Sequence, residues 1–182
     1  GDPRKQRKKY QNPGHPWEKG RIDEEKAVLK EYGLGNKKEI WKMNSQLRKI
    51  KSQVKNLVAA KGKQADKERN DLINKVKKLG LAGDEATFEN LLALELKDVL
   101  ERRLQTIIFR KGLARSMKQA RQFIVHNHVT INGKKLTVPS YIVPKDEEGK
   151  IEFVSNSSLS NSEHPERVIL KKKEKPEEKK EK

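Results

Sequence analysis

Apolar positions in this chain recur mostly with the 3.6-residue period of an amphipathic helix. A period of two, the mark of a half-buried strand, shows only in the C-terminal third. Ala27, Val28, Leu29 and Tyr32 predict a short helix that Asp23 caps and Gly33 ends. Asn36 followed by Glu39 reads as a capping box. Behind it Ile40, Met43, Leu47, Ile50, Val54, Leu57 and Val58 keep helical spacing for about six turns, until Gly62. A third helix is expected from about Asp66 to Leu79, with Leu72, Ile73, Val76 and Leu79 inward and Gly80 and Gly83 as its breakers. Thr87 to Leu94 predicts a short fourth helix.

From Leu100 to Val138 the pattern reads helix, turn, helix, hairpin. Leu100, Leu104, Ile107 and Ile108 form the stripe of the first helix, and Gly112 suits the left-handed residue that ends it. Ser116 is an N-cap in form, with Gln119 three residues on completing a capping box. Met117, Ala120, Phe123 and Ile124 make the inner face of the second helix. Asn127, tolerant of the left-handed conformation, closes it. Asn132-Gly133 between two β-prone runs predicts a two-residue type I′ turn. That turn sets Ile131 opposite Lys134 and Val129 opposite Leu136, with Val129, Ile131, Leu136 and Val138 on one face. His128, Thr130, Lys135 and Thr137 fall on the other. Pro139-Ser140 and Pro144 mark irregular chain, and Asp146 to Gly149 reads as a turn. Lys150 to Val154 alternates like a third strand. The end, from Lys171, is low-complexity and cannot build a core.

The expected class is α+β. A basic N-terminal arm (1–20) precedes a mainly helical domain (21–99). A small αα-β module (100–166) and a lysine-rich C-terminal tail (167–182) follow.

Charge sharpens this picture. Of 182 residues 43 are Lys or Arg and 26 Asp or Glu, a formal net charge of +17. Such an excess points to a polyanionic partner, with a merely lysine-rich protein as the bland alternative. A membrane surface is disfavoured, because no segment is apolar enough to span a bilayer and no helix has an aromatic-edged apolar face. There are no cysteines, which excludes disulfides and thiolate metal sites. No signal peptide is visible, so a cytoplasmic location is expected. The chain has no phosphate-binding GxxxxGK[ST] loop, and Ser116 is better explained as a cap than as a nucleophile. His126 and His128, two apart with no further ligand cluster, make a weak metal site. His126 is expected to cap the second helix or to touch phosphate.

Basic side chains recur on the long helix as Lys37, Lys38, Lys42, Arg48, Lys49, Lys51 and Lys55. They return outside the apolar stripes of the module as Arg102, Arg103, Arg110, Lys118 and Arg121. Arg115, Lys118, Arg121 and Gln122 lie near the start of the second module helix, where the helix dipole adds to side-chain charge. Tyr10, His15 and Trp17 sit in the proline-broken arm. They can stack on exposed bases, or Trp17 can pack back on the helical domain. Trp41, beside Ile40, is expected to pack.

The run from Arg103-Leu104 through Arg110, Gly112, Ser116, Ala120-Arg121-Gln122, Val125-His126 and Asn132-Gly133 to Pro139-Ser140-Tyr141 resembles a known module. It is the small RNA-binding domain named after ribosomal small-subunit protein four. Tyr10, His15-Pro16-Trp17, Tyr32-Gly33, Glu39-Ile40-Trp41 and Leu100-Glu101-Arg102-Arg103-Leu104 extend the likeness to the archaeal and eukaryotic form of the whole family, over nearly the full chain.

The resemblance implies a structural component of the small (30S) subunit, without catalysis or cofactor. It implies a primary 16S ribosomal RNA-binding protein that nucleates assembly of the 5′ domain. It also implies a place near the messenger RNA entry side, contact with small-subunit protein five, and a contribution to translational accuracy. Some relatives hold a cysteine-ligated zinc near the N-terminus; this chain cannot. The ribosomal RNA-binding residues expected from charge, pattern and resemblance together are Tyr10, His15, Trp17, Lys37, Lys38, Arg48, Arg102, Arg103, Arg110 and Lys111. Arg115, Ser116, Lys118, Gln119, Arg121, Gln122, His126, Asn132, Lys134 and Lys135 complete the set. Two rivals stand beside this reading. A pseudouridine synthase carrying the same module needs a large catalytic domain, for which too little chain remains. A basic architectural DNA-binding protein is separated by competition between ribosomal RNA and duplex DNA.

Overall fold

The computed structural model describes residues 8, 10–83, 87–161 and 164–167. The low-complexity end from Lys171 lies outside them. Eight α-helices and three short strands are present among the described residues. They are α1 (Lys19–Glu31), α2 (Lys37–Ala59), α3 (Lys63–Lys78), α4 (Phe88–Ala93), α5 (Leu96–Glu101), α6 (Leu104–Arg110), α7 (Met117–Val125), β1 (Val129–Ile131), β2 (Lys134–Lys135), α8 (Lys145–Glu148) and β3 (Ile151–Phe153). The strands form one antiparallel sheet in the order β2-β1-β3. The chain is thus α+β, with its sheet confined to the C-terminal part.

The apolar periodicity sorts into two cores. Tyr32, Met43, Leu47, Val54, Leu72, Val76, Leu91, Val99 and Leu100 are buried together in the helical half. Leu104, Ile107, Ile108, Ala120, Phe123, Ile124, Val129, Ile131 and Ile151 form the second core. Met117 and Ile142, from the second half, pack against the first cluster, so the two cores meet.

The stripe expected as one helix from Leu100 to Ile108 is two helices. Arg103 between them is extended (φ −71°, ψ 142°) and forms an isolated bridge with Ile142. The Leu104 N–H donates to the Tyr141 carbonyl at 2.7 Å and the Val143 N–H to the Arg102 carbonyl at 2.9 Å. The break lets Leu100 serve one core and Leu104 the other. A continuous helix would keep both on one face.

Turn chemistry follows the sequence closely. Gly112, Asn127, Asn132 and Gly133 all have positive φ, and the hairpin register pairs Ile131 with Lys134 and Thr130 with Lys135. The Leu136 N–H donates to the Val129 carbonyl. The third strand forms and pairs with β1. Because β2 is only two residues long, alternation lapses before Val138, which is half exposed. Ser116 Oγ caps α7 by accepting from the Gln119 N–H at 3.2 Å. The reciprocal bond lands one residue early, on the Arg115 N–H.

Helix ends depart more from the expectations. α1 starts at Lys19, ahead of Asp23, so Asp23 is not its cap and Ala27 faces solvent. Asn36 makes no side-chain cap bond: its backbone carbonyl accepts from the Glu39 N–H at 3.1 Å, and the Glu39 carboxylate is taken by Arg103 and Arg121. α2 ends at Ala59, and Val58 in its last turn is exposed. Arg69 of α3 explains that end: its guanidinium donates to the carbonyls of Leu57 and Ala60, which have no helical partner. α3 therefore begins at Lys63, after Gly62 at φ 116°. The turn read at Asp146 to Gly149 is the one-turn helix α8.

Ile108 is fully buried in the second core and Val58 is exposed. Ile108→Ala should cost about 2–5 kcal/mol in urea denaturation, and Val58→Ala no more than about 0.5 kcal/mol.

Candidate nucleic-acid interface

Basic residues divide by what their charge already meets. Arg103 is the clearest case. It is 1% exposed, and its Nη2 donates to Glu39 Oε2 at 2.7 Å. The cause is the extended backbone at the α5–α6 break, which turns this side chain into the seam between the halves. Arg121 of α7 reaches the same carboxylate, with Nη2 at 2.9 Å from Oε1 and Nη1 at 3.3 Å from Oε2. Glu39, in the first turn of α2, thus receives two guanidinium groups from the other half. Burial works against its charge, but the hydrogen bonds from Arg121 and Arg103 and their positive charge prevail. They hold the carboxyl below its ordinary range.

Close approach at the seam needs small residues. A Cβ on Gly33 would lie 2.7 Å from Met117 Cβ, and Gly33 already has φ 56°. Buried Gln105 binds across the same contact, its Nε2 donating to the carbonyls of Met117 at 2.8 Å and Gly33 at 3.1 Å. Arg102 also turns inward, with Nη1 on Glu148 at 2.7 Å and Nη2 on the Val143 carbonyl at 2.8 Å. Tyr32 donates to Glu101 at 3.0 Å. Burial, then that carboxylate, pushes its phenol up to about 12, so it stays a donor.

Several of the residues expected to bind RNA are also tied into the fold. Arg103 is sealed from solvent, and Arg102 and Arg121 are committed to carboxylates within the fold. Gln119 has both ends of its amide engaged, by the Arg115 N–H and the Glu166 carbonyl. Ser116 Oγ is occupied as the cap. Lys37 pairs with Glu25 at 3.2 Å, and Arg110, though exposed, pairs with Glu101 at 2.8 Å. Lys111 donates to the Glu148 carbonyl. Arg48 is exposed and held loosely by Gln11 at 3.4 Å.

Other candidates remain open to a ligand. Lys38 and Lys42 on α2 and Arg115, Lys118 and Gln122 around the start of α7 are exposed, with no side-chain partner among the described residues. His126, Asn132, Lys134 and Lys135 are exposed as well. The His126 ring stacks on His128 at 6.5 Å. His128 also contacts Ser157 Oγ and the edge of Phe123. No group of three or more potential metal ligands occurs among the described residues.

The arm does not run free. The Gln11 N–H donates to Ser45 Oγ at 3.0 Å, and Arg21 donates to the carbonyls of His15 and Pro16. Tyr10 stacks on Trp41 at 6.3 Å, and Trp41 packs as expected, its Nε1 donating to Glu25 at 2.9 Å. Trp17 does not pack back: it is 90% exposed beside a cleft of about 310 Å³ that Pro13, Pro16, Ile22 and Trp41 help to line.

Sequence reasoning missed Glu39, Glu25 and Gln105 as organisers.

An S4 domain matches residues 102–148. The Arg102–Glu148 ion pair closes that segment end to end. The small ribosomal subunit protein uS4 of Methanococcus maripaludis is 48% identical over 92% of this chain and 95% of its own length. The protein of that name from Nanoarchaeum equitans is 49% identical over 96% and 98%. That of Methanococcus aeolicus is 48% identical over 92% and 96%.

Glu39→Gln should destabilise the chain by about 3–5 kcal/mol at neutral pH, because it leaves buried Arg103 without its anion. The Glu39 carboxyl is depressed in the folded state, so its contribution is present above the ordinary value of 4.5 and fades as pH falls through the folded value. Thermal melts across pH should therefore show the gap between parent and variant closing in acid. A gap that persists unchanged at low pH would deny Glu39 this role.

Proposed function

Because the chain belongs to the uS4 family of small ribosomal subunit proteins, we propose that it is a structural, ribosomal RNA-binding component of the small (30S) subunit. It binds 16S ribosomal RNA in the 5′ domain, nucleates assembly there, and contributes to translational accuracy with small-subunit protein five near the messenger RNA entry side. It works within the ribosome, in the cytoplasm, as a binding protein and not an enzyme. One observation carries the reading. The part that matches an RNA-binding domain holds α7, around whose start the side chains of Arg115, Lys118 and Gln122 are exposed and have no partner among the described residues.

Mechanism follows from phosphate electrostatics. Each cation that neutralises a phosphate releases counterions, so affinity falls with salt. Of the two seam arginines, Arg103 is sealed from solvent and takes no direct part, while Arg121 keeps an exposed edge. Together they hold α2 and α7 in one relation, so that cations from both meet the RNA together. Folded RNA is recognised largely by shape and backbone, which suits a rigid set of point charges. Trp17 adds a flat apolar ring, positioned to stack on an unpaired base.

Lys118→Glu should weaken filter binding to 5′ domain RNA at least about tenfold, since a charge-assisted contact is worth about 1.5–3 kcal/mol. Lys67→Glu on α3, where Asp66, Glu68 and Asp71 already repel phosphate, should cost much less. Equal losses would show that α7 is not a recognition surface. Co-sedimentation of the chain with small subunits from cell extract tests the assignment itself, and its absence would overturn it.

Trp17→Ala should lose about 1–3 kcal/mol of RNA affinity if one base stacks there, with the melting temperature unchanged because the ring buries almost nothing in the free protein. Undiminished affinity would leave the ring without this role.

A further inference from the structure

At the seam, the start of α2 and the segment after the hairpin enclose a cleft of about 230 Å³. Lys38, Lys42 and Arg121 supply its cations. Lys38 and Lys42 are four apart on α2, so they share a face one turn apart. Both are exposed, and no carboxylate pairs with either among the described residues. The one acid in the lining, Glu39, is already shared between Arg121 and Arg103. The cleft is therefore a concentration of uncompensated positive charge in a concave place. Like charges gathered there repel one another unless an anion enters.

The remaining lining is Asn36, Met43, Pro139 and Ser140, of which Asn36 and Ser140 can donate. Ser140 lines the cleft with its hydroxyl unbonded among the described residues. The Asn36 side chain, also in the lining, makes no cap bond to α2, so the first-turn N–H groups have no side-chain acceptor. No aromatic ring lines the cleft, so it offers nothing for a base to stack on. A tetrahedral oxyanion fits this chemistry: lysine as point charge, a guanidinium edge and a hydroxyl.

We propose that this cleft seats a phosphodiester of the bound RNA. Lys38 and Lys42 come from the helical half, and Arg121 and Ser140 from the half that holds the sheet. One phosphate in the cleft bonds both, and RNA binding thereby fastens the seam from outside as Glu39 fastens it from within. The inference rests on the RNA-binding reading above and joins Lys38 and Arg121, already expected to touch RNA, with Lys42 and Ser140 in one seat; Lys38 and Lys42 lie outside residues 102–148.

The test uses the full chain and 5′ domain RNA, with affinity followed against salt concentration. Lys38→Ala and Lys42→Ala together should lower the salt slope by about two and weaken binding at least about tenfold. The matched control, Lys67→Ala with Lys75→Ala on α3, removes the same charge and should change the slope far less. Equal slopes for the two double variants would overturn the seat while leaving RNA binding intact. Failure of the parent chain to bind the RNA would overturn the reading beneath it. Inorganic phosphate at constant ionic strength separates the sources. If it raises the melting temperature of the parent but not of the Lys38/Lys42 variant, and the RNA slopes agree, the seat takes a free anion and the backbone assignment falls.

Discussion

One carboxylate shared by two guanidinium groups sets the geometry of this molecule. Arg103 is buried, and its Nη2 meets Glu39 across the seam. A buried cation without an anion costs several kcal/mol, so the fold is committed to bringing the first turn of α2 against the α5–α6 break. Other features of the seam follow from that approach. Gly33 must lack a side chain against Met117, Gln105 satisfies backbone carbonyls from both sides, and Arg121 joins from α7. The polar side of α2 and the start of α7 are then held in one fixed relation.

That arrangement divides many of the basic residues by type, although Arg48, Arg110 and Arg115 stay exposed. Arginine, with its planar fork, is used inside: Arg69 on helix-end carbonyls, Arg102 on Glu148 and Val143, Arg103 and Arg121 on Glu39. Lysine is mostly left outside, as at Lys38, Lys42 and Lys118. A basic composition of this kind does two jobs. Part of the excess charge is structural mortar, paired within the fold, and part stands in solvent without a carboxylate among the described residues.

The same division explains how much was legible in advance. Element type and core membership followed from periodicity, because burial of Leu104, Ile108, Phe123 or Val129 is a local consequence of spacing. Left-handed turn positions followed from Gly112, Asn127 and Asn132-Gly133, because few residues tolerate that conformation. Polar partners did not follow. Asn36 and Glu39 have the spacing of a capping box, yet Glu39 is claimed by arginines 64 and 82 residues away in sequence. A buried arginine and a solvated one look alike on a helical wheel. The sequence predicts packing for Trp41, which donates to Glu25 under Tyr10, whereas only the structure decides for Trp17, which stands in solvent. The family likeness identified the chain, but it does not by itself say which basic side chains face RNA.

The seam makes two cores into one cooperative unit that presents both cationic faces together. Scanning calorimetry of the full chain at neutral pH should therefore show a single transition whose calorimetric and van't Hoff enthalpies agree. Two resolved transitions, with the half containing the sheet melting apart from the helical half, would contradict it.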